Sequence, residues 1–259
     1  MSKLIEEIDS LLQTFKRLRD PTHGCPWDKE QDFKSIASCS IEEAYEVADA
    51  IEREDFSDLK EELGDLFFQI IFHSGMAEER GFFNFEEVVK ELNDKLIRRH
   101  PHIFDRKQEI SSSESIEVWE KEKKKERELK NLTSLMDDIP KNLPSLTRAK
   151  KIQNRAKSVG FDWQDENDVI KKIDEEIEEI KTAKASRKRE NISEEIGDLF
   201  FTLVNLSRHY NFEPEDIIRK ANLKFETRFR KMEDDAKEAK LNLKDLGIHE
   251  LETLWQKVK

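Results

Sequence analysis

One run of acidic and apolar residues occurs twice in this 259-residue chain. Glu42-Glu43-Ala44-Tyr45-Glu46 is followed by Glu61-Glu62-Leu63-Gly64-Asp65-Leu66-Phe67-Phe68. Later, Glu175-Glu176-Ile177-Glu178-Glu179 is followed by Glu194-Glu195-Ile196-Gly197-Asp198-Leu199-Phe200-Phe201. Four carboxylates in each copy (Glu43, Glu46, Glu62, Asp65; Glu176, Glu179, Glu195, Asp198) step by 3, 16 and 3 residues, and the copies are offset by a constant 133. A duplication of that length predicts two similar units, each near the usual size of a domain.

The units are expected to be helical. Seven glycines and six prolines leave little turn chemistry for an all-β fold, and the strong helix formers dominate. Charged residues reach 40%, yet the apolar ones recur at helical spacing, which separates this chain from a disordered one. Leu4, Ile5, Ile8, Leu11, Leu12, Phe15 and Leu18 predict an amphipathic helix over 3–19, ended by Asp20-Pro21 and followed by a loop through Gly24 to Trp27. Ile41, Ala44, Val47, Ala48 and Ile51 mark the next helix. After a turn near Arg53–Ser57 comes another with Leu59, Leu63, Leu66, Phe67 and Ile70 on its apolar arc. Asp58 with Glu61, and Asn191 with Glu194, have the spacing of reciprocal N-terminal caps.

Further helices are expected near 85–99, 114–130, 145–158, 167–184, 192–210 and 214–239. Pro140 and Pro144 interrupt the periodicity, so 131–145 reads as a linker between domains 1–130 and 146–259.

The net charge of −12 argues against a general nucleic-acid binder. Two cysteines, Cys25 and Cys39, make neither a disulfide framework nor a zinc ligand set, and suit a reducing compartment. Acids interrupt the apolar N-terminus, and no run has the length of a membrane span, so a cytoplasmic protein is expected.

Residues three apart on a helix lie one turn along the same side. Glu43 with Glu46, and Glu62 with Asp65, therefore form two acidic strips at the edge of an apolar face, which converge if their helices pack antiparallel. Converging carboxylates repel and call for a cation. All-oxygen ligation favours magnesium or manganese. A di-iron carboxylate bundle would need Glu-x-x-His pairs, and His73 lies too far along to supply one. No phosphate-binding glycine loop is present. A phosphate substrate would then be held by metal and cations, for which Lys95 with Arg99 and Lys224 with Arg228 have suitable i, i+4 spacing. Trp119 and Trp255 can stack on a base.

The repeat runs beyond the acids. Gly24-x-x-Trp27 parallels Gly160-x-x-Trp163, Asn93-x-Lys95 with Arg99 parallels Asn222-x-Lys224 with Arg228, and Trp119 parallels Trp255. With Gly24-Cys25-Pro26-Trp27-Asp28, Glu30-Gln31, Arg98-Arg99-His100-Pro101-His102-Ile103-Phe104, Lys151-Ile152-Gln153, Arg155-Ala156 and Val159-Gly160-Phe161-Asp162-Trp163, the chain resembles the two-copy form of the MazG family of nucleoside triphosphate pyrophosphohydrolases. Asp32-Phe33 stands where the family has Thr-His.

The resemblance implies tandem all-α domains whose four-helix cores are completed by homodimerisation. It implies magnesium-dependent hydrolysis of an NTP or dNTP to the monophosphate and pyrophosphate, with manganese as a substitute. Carried over by position, Glu176, Glu179, Glu195 and Asp198, with Glu43, Glu46, Glu62 and Asp65, are the metal ligands. Lys172, Glu175, Asn222, Lys224, Arg228 and Trp255 contact nucleotide, and Asn93, Lys95, Arg99 and Trp119 are their first-copy counterparts. Glu175 or Glu42 is the candidate general base. Two other readings share these residues: a non-catalytic acidic helical dimer that binds partners, and a narrower dUTP or phosphoribosyl-ATP pyrophosphatase.

Overall fold

Helix ends divide this chain. The computed structural model describes residues 3–105, 109–130, 132–186 and 189–259; position 131, the first of the expected linker, lies outside the described residues. Among the described residues, five helices end in a left-handed residue: Gly81 and Gly160, where no Cβ opposes that conformation, and Glu54, Asn211 and Lys240. Each carries the paired bonds of a Schellman turn. At Glu54 these are Asp55 N–H to the Ala50 carbonyl at 3.0 Å and Glu54 N–H to the Ile51 carbonyl at 3.1 Å.

Two compact units result, Met1–Arg127 and Glu128–Lys259. The first holds α1 (Lys3–Leu18), α2 (Pro26–Glu30), α3 (Ala37–Glu52), α4 (Phe56–Glu79), α5 (Phe85–Arg99), α6 (Pro101–Phe104) and all but the end of α7 (Ser112–Leu129). The second holds α8 (Ser145–Lys157), α9 (Glu166–Ser186), α10 (Arg189–His209), α11 (Pro214–Glu238), a 3-10 turn at Leu243–Asp245 and α12 (Ile248–Lys257). No strand occurs among the described residues, and the long helices lie within a few residues of the periodic segments. The short α2 and α6 and the 3-10 turn were not expected, because three to five residues carry no readable period, and neither was the ten-residue α12.

Both proposed caps are corrected. Asp55 caps α4, accepting from the Ser57 and Asp58 amides at 3.1 Å each, while Asp58 ion-pairs with Arg53. Asn191 lies inside α10, which begins at Arg189. A side chain can cap only where the preceding turn places it, and spacing alone does not reveal that.

In the first unit α3 packs along α4, joined by a three-residue turn, and α1 and α5 also pack on α4. Phe15, Ile36, Ile71, Phe72 and Met76 form the core, with Cys39 packed against it. Phe15 meets Phe72 edge-on at 5.2 Å and fills the space over Gly75. Arg19 pairs with Glu79 at 2.6 Å and donates to the Asp28 carbonyl, which ties α1 and α2 to the end of α4. Arg98 and Arg99, in the last turn of α5, both reach Glu126 of α7, at 2.7 and 2.6 Å.

In the second unit α9 packs along α10, and α8 and α11 also contact α10. Gln153 of α8 donates to the Phe201 carbonyl at 2.8 Å. The guanidinium of Arg208, 7% exposed, grips both oxygens of Asp162 and so locks the Phe161-Asp162-Trp163 loop onto α10. Ile139, within the expected linker, is buried.

The apolar arcs are only partly covered within the chain. Leu63 and Ile70 of α4 remain 50% and 43% exposed, and Phe200 of α10 remains 55% exposed.

Two predictions follow from this packing. A Cβ at Gly75 would lie 1.9 Å from Phe15 Cε1. Gly75→Ala should therefore cost about 1–3 kcal/mol, read as a lowered midpoint in thermal unfolding of the full chain. Hydrogen bonds from Arg99, and next from Arg98, outweigh burial and lower the Glu126 pKa from 4.5 to about 2. Since the folded value is the lower one, this contribution is present above pH 4.5 and lost as the pH falls toward about 2. Glu126→Gln should destabilise the chain at pH 7 but make little difference to unfolding at pH 2.

Candidate metal and nucleotide site

The 3–16–3 spacing is symmetric about its centre. Positions 43 and 65, like 46 and 62, are equally far from residue 54, the left-handed residue of the α3–α4 turn. Folding the two helices back on one another at that turn brings the paired acids to the same level. In the second copy the same midpoint falls between α9 and α10.

Oxygens of Glu43, Glu62 and Asp65 lie within 4.8 Å of one another, as do those of Glu176, Glu179 and Glu195. Glu46 is outside the first trio but close enough to Glu43 to raise its pKa. Asp198 is outside the second trio, and its carboxylate is exposed; its backbone carbonyl accepts from Thr202 Oγ1 at 2.9 Å.

The electrostatics follow from crowding. Burial raises the Glu43 pKa, with Asp65, Glu46 and Glu62 adding to it. Burial also raises Glu62, helped by Glu46 and Asp65 among its neighbours. Glu179 is raised by burial and by Glu176 and Glu195, against an opposing effect from Lys172. Glu176 is 3% exposed, and its Oε2 has no hydrogen-bond partner. A buried carboxylate that has one oxygen without a donor and two further carboxylates beside it fits a hard divalent cation by charge and by ligand type.

The other candidates are dispersed. Lys172 Nζ lies 2.8 Å from both Glu175 Oε1 and Glu176 Oε1. The hydrogen bonds to Glu175 and then Glu176 raise its pKa. Glu175 is thus engaged with a lysine, and Glu42 is exposed on α3. Lys224 and Arg228 line a shallow cavity of about 310 Å³ on α11, together with Lys220, Leu223 and Thr227. Asn222 is exposed on the same helix. Trp255 of α12 packs at 5.0 Å from the Phe225 ring.

In the first copy Asn93 is exposed and Lys95 half-buried on α5, while Arg99 is taken up by Glu126. Trp119 of α7 lies 6.5 Å from His100 and carries Lys123 over its ring at 5.4 Å. Two participants were missed from the sequence. Lys220 sits one turn before Lys224, so a stripe at 220, 224 and 228 was there to be read. Glu126 was hidden among the many acids of α7, and only tertiary packing singles it out.

The sequence has counterparts among known proteins. Residues 31–104 match the MazG nucleotide pyrophosphohydrolase domain, and residues 148–225 match the phosphoribosyl-ATP pyrophosphohydrolase domain. A nucleoside triphosphate pyrophosphohydrolase of Escherichia coli (strain K12) is 47% identical over 257 residues, 98% of each chain. A nucleoside triphosphate pyrophosphohydrolase/pyrophosphatase MazG of Thermotoga maritima is 43% identical over 256 residues, 99% of this chain and 96% of its own. A crystal structure of a mazG-related protein from Thermotoga maritima aligns with 45% of this chain and 98% of its own, at 27% identity and a TM-score of 0.39. On the strength of the full-length identities, this chain belongs to the MazG family of nucleoside triphosphate pyrophosphohydrolases.

Proposed function

We propose that this protein hydrolyses nucleoside or deoxynucleoside triphosphates to the monophosphate and pyrophosphate, using magnesium, with manganese as a substitute. The observation that carries the reading is the unpartnered, buried Oε2 of Glu176 beside Glu179 and Glu195. Full-length relatives named for the same reaction support it. The family assignment makes the chain a hydrolase of phosphoanhydride bonds, and removal of surplus or damaged nucleotides in the cytoplasm is the role that fits.

Glu176, Glu179, Glu195 and Asp198 would hold the ion in the second copy, and Glu43, Glu46, Glu62 and Asp65 in the first. A divalent ion there supplies positive charge against the triphosphate oxygens and makes water a better nucleophile. Water oxygen attacks the α-phosphorus, the bond to the bridging oxygen breaks, and pyrophosphate leaves. Lys224 and Arg228 supply charge-assisted hydrogen bonds to the phosphates, and Asn222 and Trp255 orient the nucleoside. Glu175 can take the water proton once Lys172 has turned from it to phosphate; Glu42 is its first-copy counterpart. Asn93, Lys95, Arg99 and Trp119 would serve the first copy, but Arg99 must first leave Glu126. Lys224 and Arg228 already line an open cavity, so the second copy has the more accessible cations for phosphate.

The chain is proposed to divide into domains 1–130 and 146–259 joined by a linker at 131–145, and the protein to be a homodimer. Leu63, Ile70 and Phe200 stay exposed in the single chain. Gly64 and Gly197 have no neighbour within 4 Å of an added Cβ, although a mid-helix glycine costs about 1 kcal/mol relative to alanine. A second copy packed on these faces accounts for both observations.

A narrower reading has one observation in its favour, the phosphoribosyl-ATP pyrophosphohydrolase match over 148–225. It shares the metal chemistry and differs only in substrate.

The purified chain, given magnesium and a panel of NTPs, dNTPs and phosphoribosyl-ATP, should release pyrophosphate from the common triphosphates. Release of orthophosphate alone would overturn the proposal, and turnover of phosphoribosyl-ATP alone would select the narrower reading. Glu195→Ala and Asp198→Ala combined with Glu62→Ala should lower turnover at least about a hundredfold, the scale of losing transition-state charge stabilisation. Phe200→Glu should shift the full chain toward monomer mass in sedimentation equilibrium; an unchanged mass would remove α10 from the dimer face.

A further inference from the structure

The two sets of carboxylates match along the sequence but differ in the residue four positions before the first of them. Ahead of Glu176 stands Lys172; ahead of Glu43 stands Cys39. Lys172 lies on the same face of α9 as Glu176 and places Nζ 2.8 Å from Glu176 Oε1 and from Glu175 Oε1. Cys39 carries no such cation and packs instead against the core of Phe15, Ile36, Ile71, Phe72 and Met76.

We propose that Lys172 is a built-in counter-ion that competes with the divalent metal for Glu176, so that the two clusters bind metal with unequal affinity before any nucleotide arrives. The inference rests on the carboxylates being metal sites, as proposed above.

Most lysine–acid pairs at this spacing do little. Lys171 with Asp168 and Lys181 with Glu178 join side chains that are each at least half exposed, where water screens them. Glu176 is different. It is 3% exposed, one of its oxygens is held by Lys172, and the other has no partner. Glu179 and Glu195 bring their oxygens within 4.8 Å.

A cation entering this trio must therefore approach an ammonium already bound to the same carboxylate. Either the metal is weakened by that like charge or Lys172 swings away. The flexible four-carbon stem permits the swing, and an ammonium set free beside a triphosphate has an anion to meet. In the first copy Glu43, Glu62 and Asp65 repel one another without a counter-ion from that position, so a metal relieves the repulsion directly.

The test is manganese binding to the full chain without nucleotide, followed by electron paramagnetic resonance of the free ion. Each cluster is read alone by disabling the other, with Glu62→Gln and Asp65→Asn for the first, and Glu176→Gln and Glu195→Gln for the second. The first cluster should bind Mn2+ at least about tenfold more tightly than the second, a modest return for removing one charge at contact distance in a partly buried site. Lys172→Met, which keeps the apolar stem, should tighten the second cluster by a similar factor, and Lys172→Arg, which keeps the charge, should leave it weak. Equal affinities of the two clusters, or no gain in Lys172→Met, would overturn the inference while leaving the metal reading intact. No Mn2+ binding at either cluster would overturn the metal reading and the inference with it.

Discussion

Repulsion between carboxylates held level with one another across a pair of helices is the constraint to which the rest of this structure answers. Acids at 43 and 65, and at 46 and 62, face each other only because the α3–α4 turn centres on residue 54. The Schellman bonds at Ala50 and Ile51 and the Asp55 cap hold that turn. The Phe15–Phe72 contact and the Arg19–Glu79 pair hold α4 from its other side. Burial first, and the neighbouring carboxylates after it, raise the pKa values of Glu43, Glu62 and Glu179, an unfavourable energy that this scaffold sustains. Strain of this kind, concentrated in two places and built from one residue class, points to a ligand of opposite charge.

The two units use their cations differently. In the first, Arg98 and Arg99 converge on Glu126, an arrangement that braces α7 against α5. In the second, Lys220, Lys224 and Arg228 line one side of α11 around a shallow cavity. One duplicated plan thus carries a cationic helix that is tied to an acid in one copy and lines an open cavity in the other.

Much of this was legible in the sequence. The long helices came from apolar periodicity, and sets of four acids from spacing, of which the structure gathers three in each copy and leaves Glu46 and Asp198 outside. What was not legible has identifiable physical causes. Lys172 can pair with Glu175 at i+3 or Glu176 at i+4, and only coordinates show that it does both. The caps failed because Asp55 and Asp58 are both plausible by residue type, and the backbone bend decides between them. Leu63 and Ile70 were placed on an apolar arc correctly, but a period reveals which face is apolar and not what covers it. The pairing of Arg99 with Glu126 was not legible because that acid lies 27 residues away on another helix.

The symmetric spacing about the hairpin turn also bears on how this chain can change over generations. Each residue inserted into that turn would rotate the following helix by about 100° relative to the first and carry the paired acids apart. Elsewhere no such penalty applies. Between the copies the offset is 133 throughout the acidic hairpin, but 136 at Gly24 and Gly160 and 129 at Asn93 and Asn222. Insertions and deletions have accumulated on either side of the hairpin and none within it. The length of that turn is therefore as much a part of the site as the carboxylates it aligns.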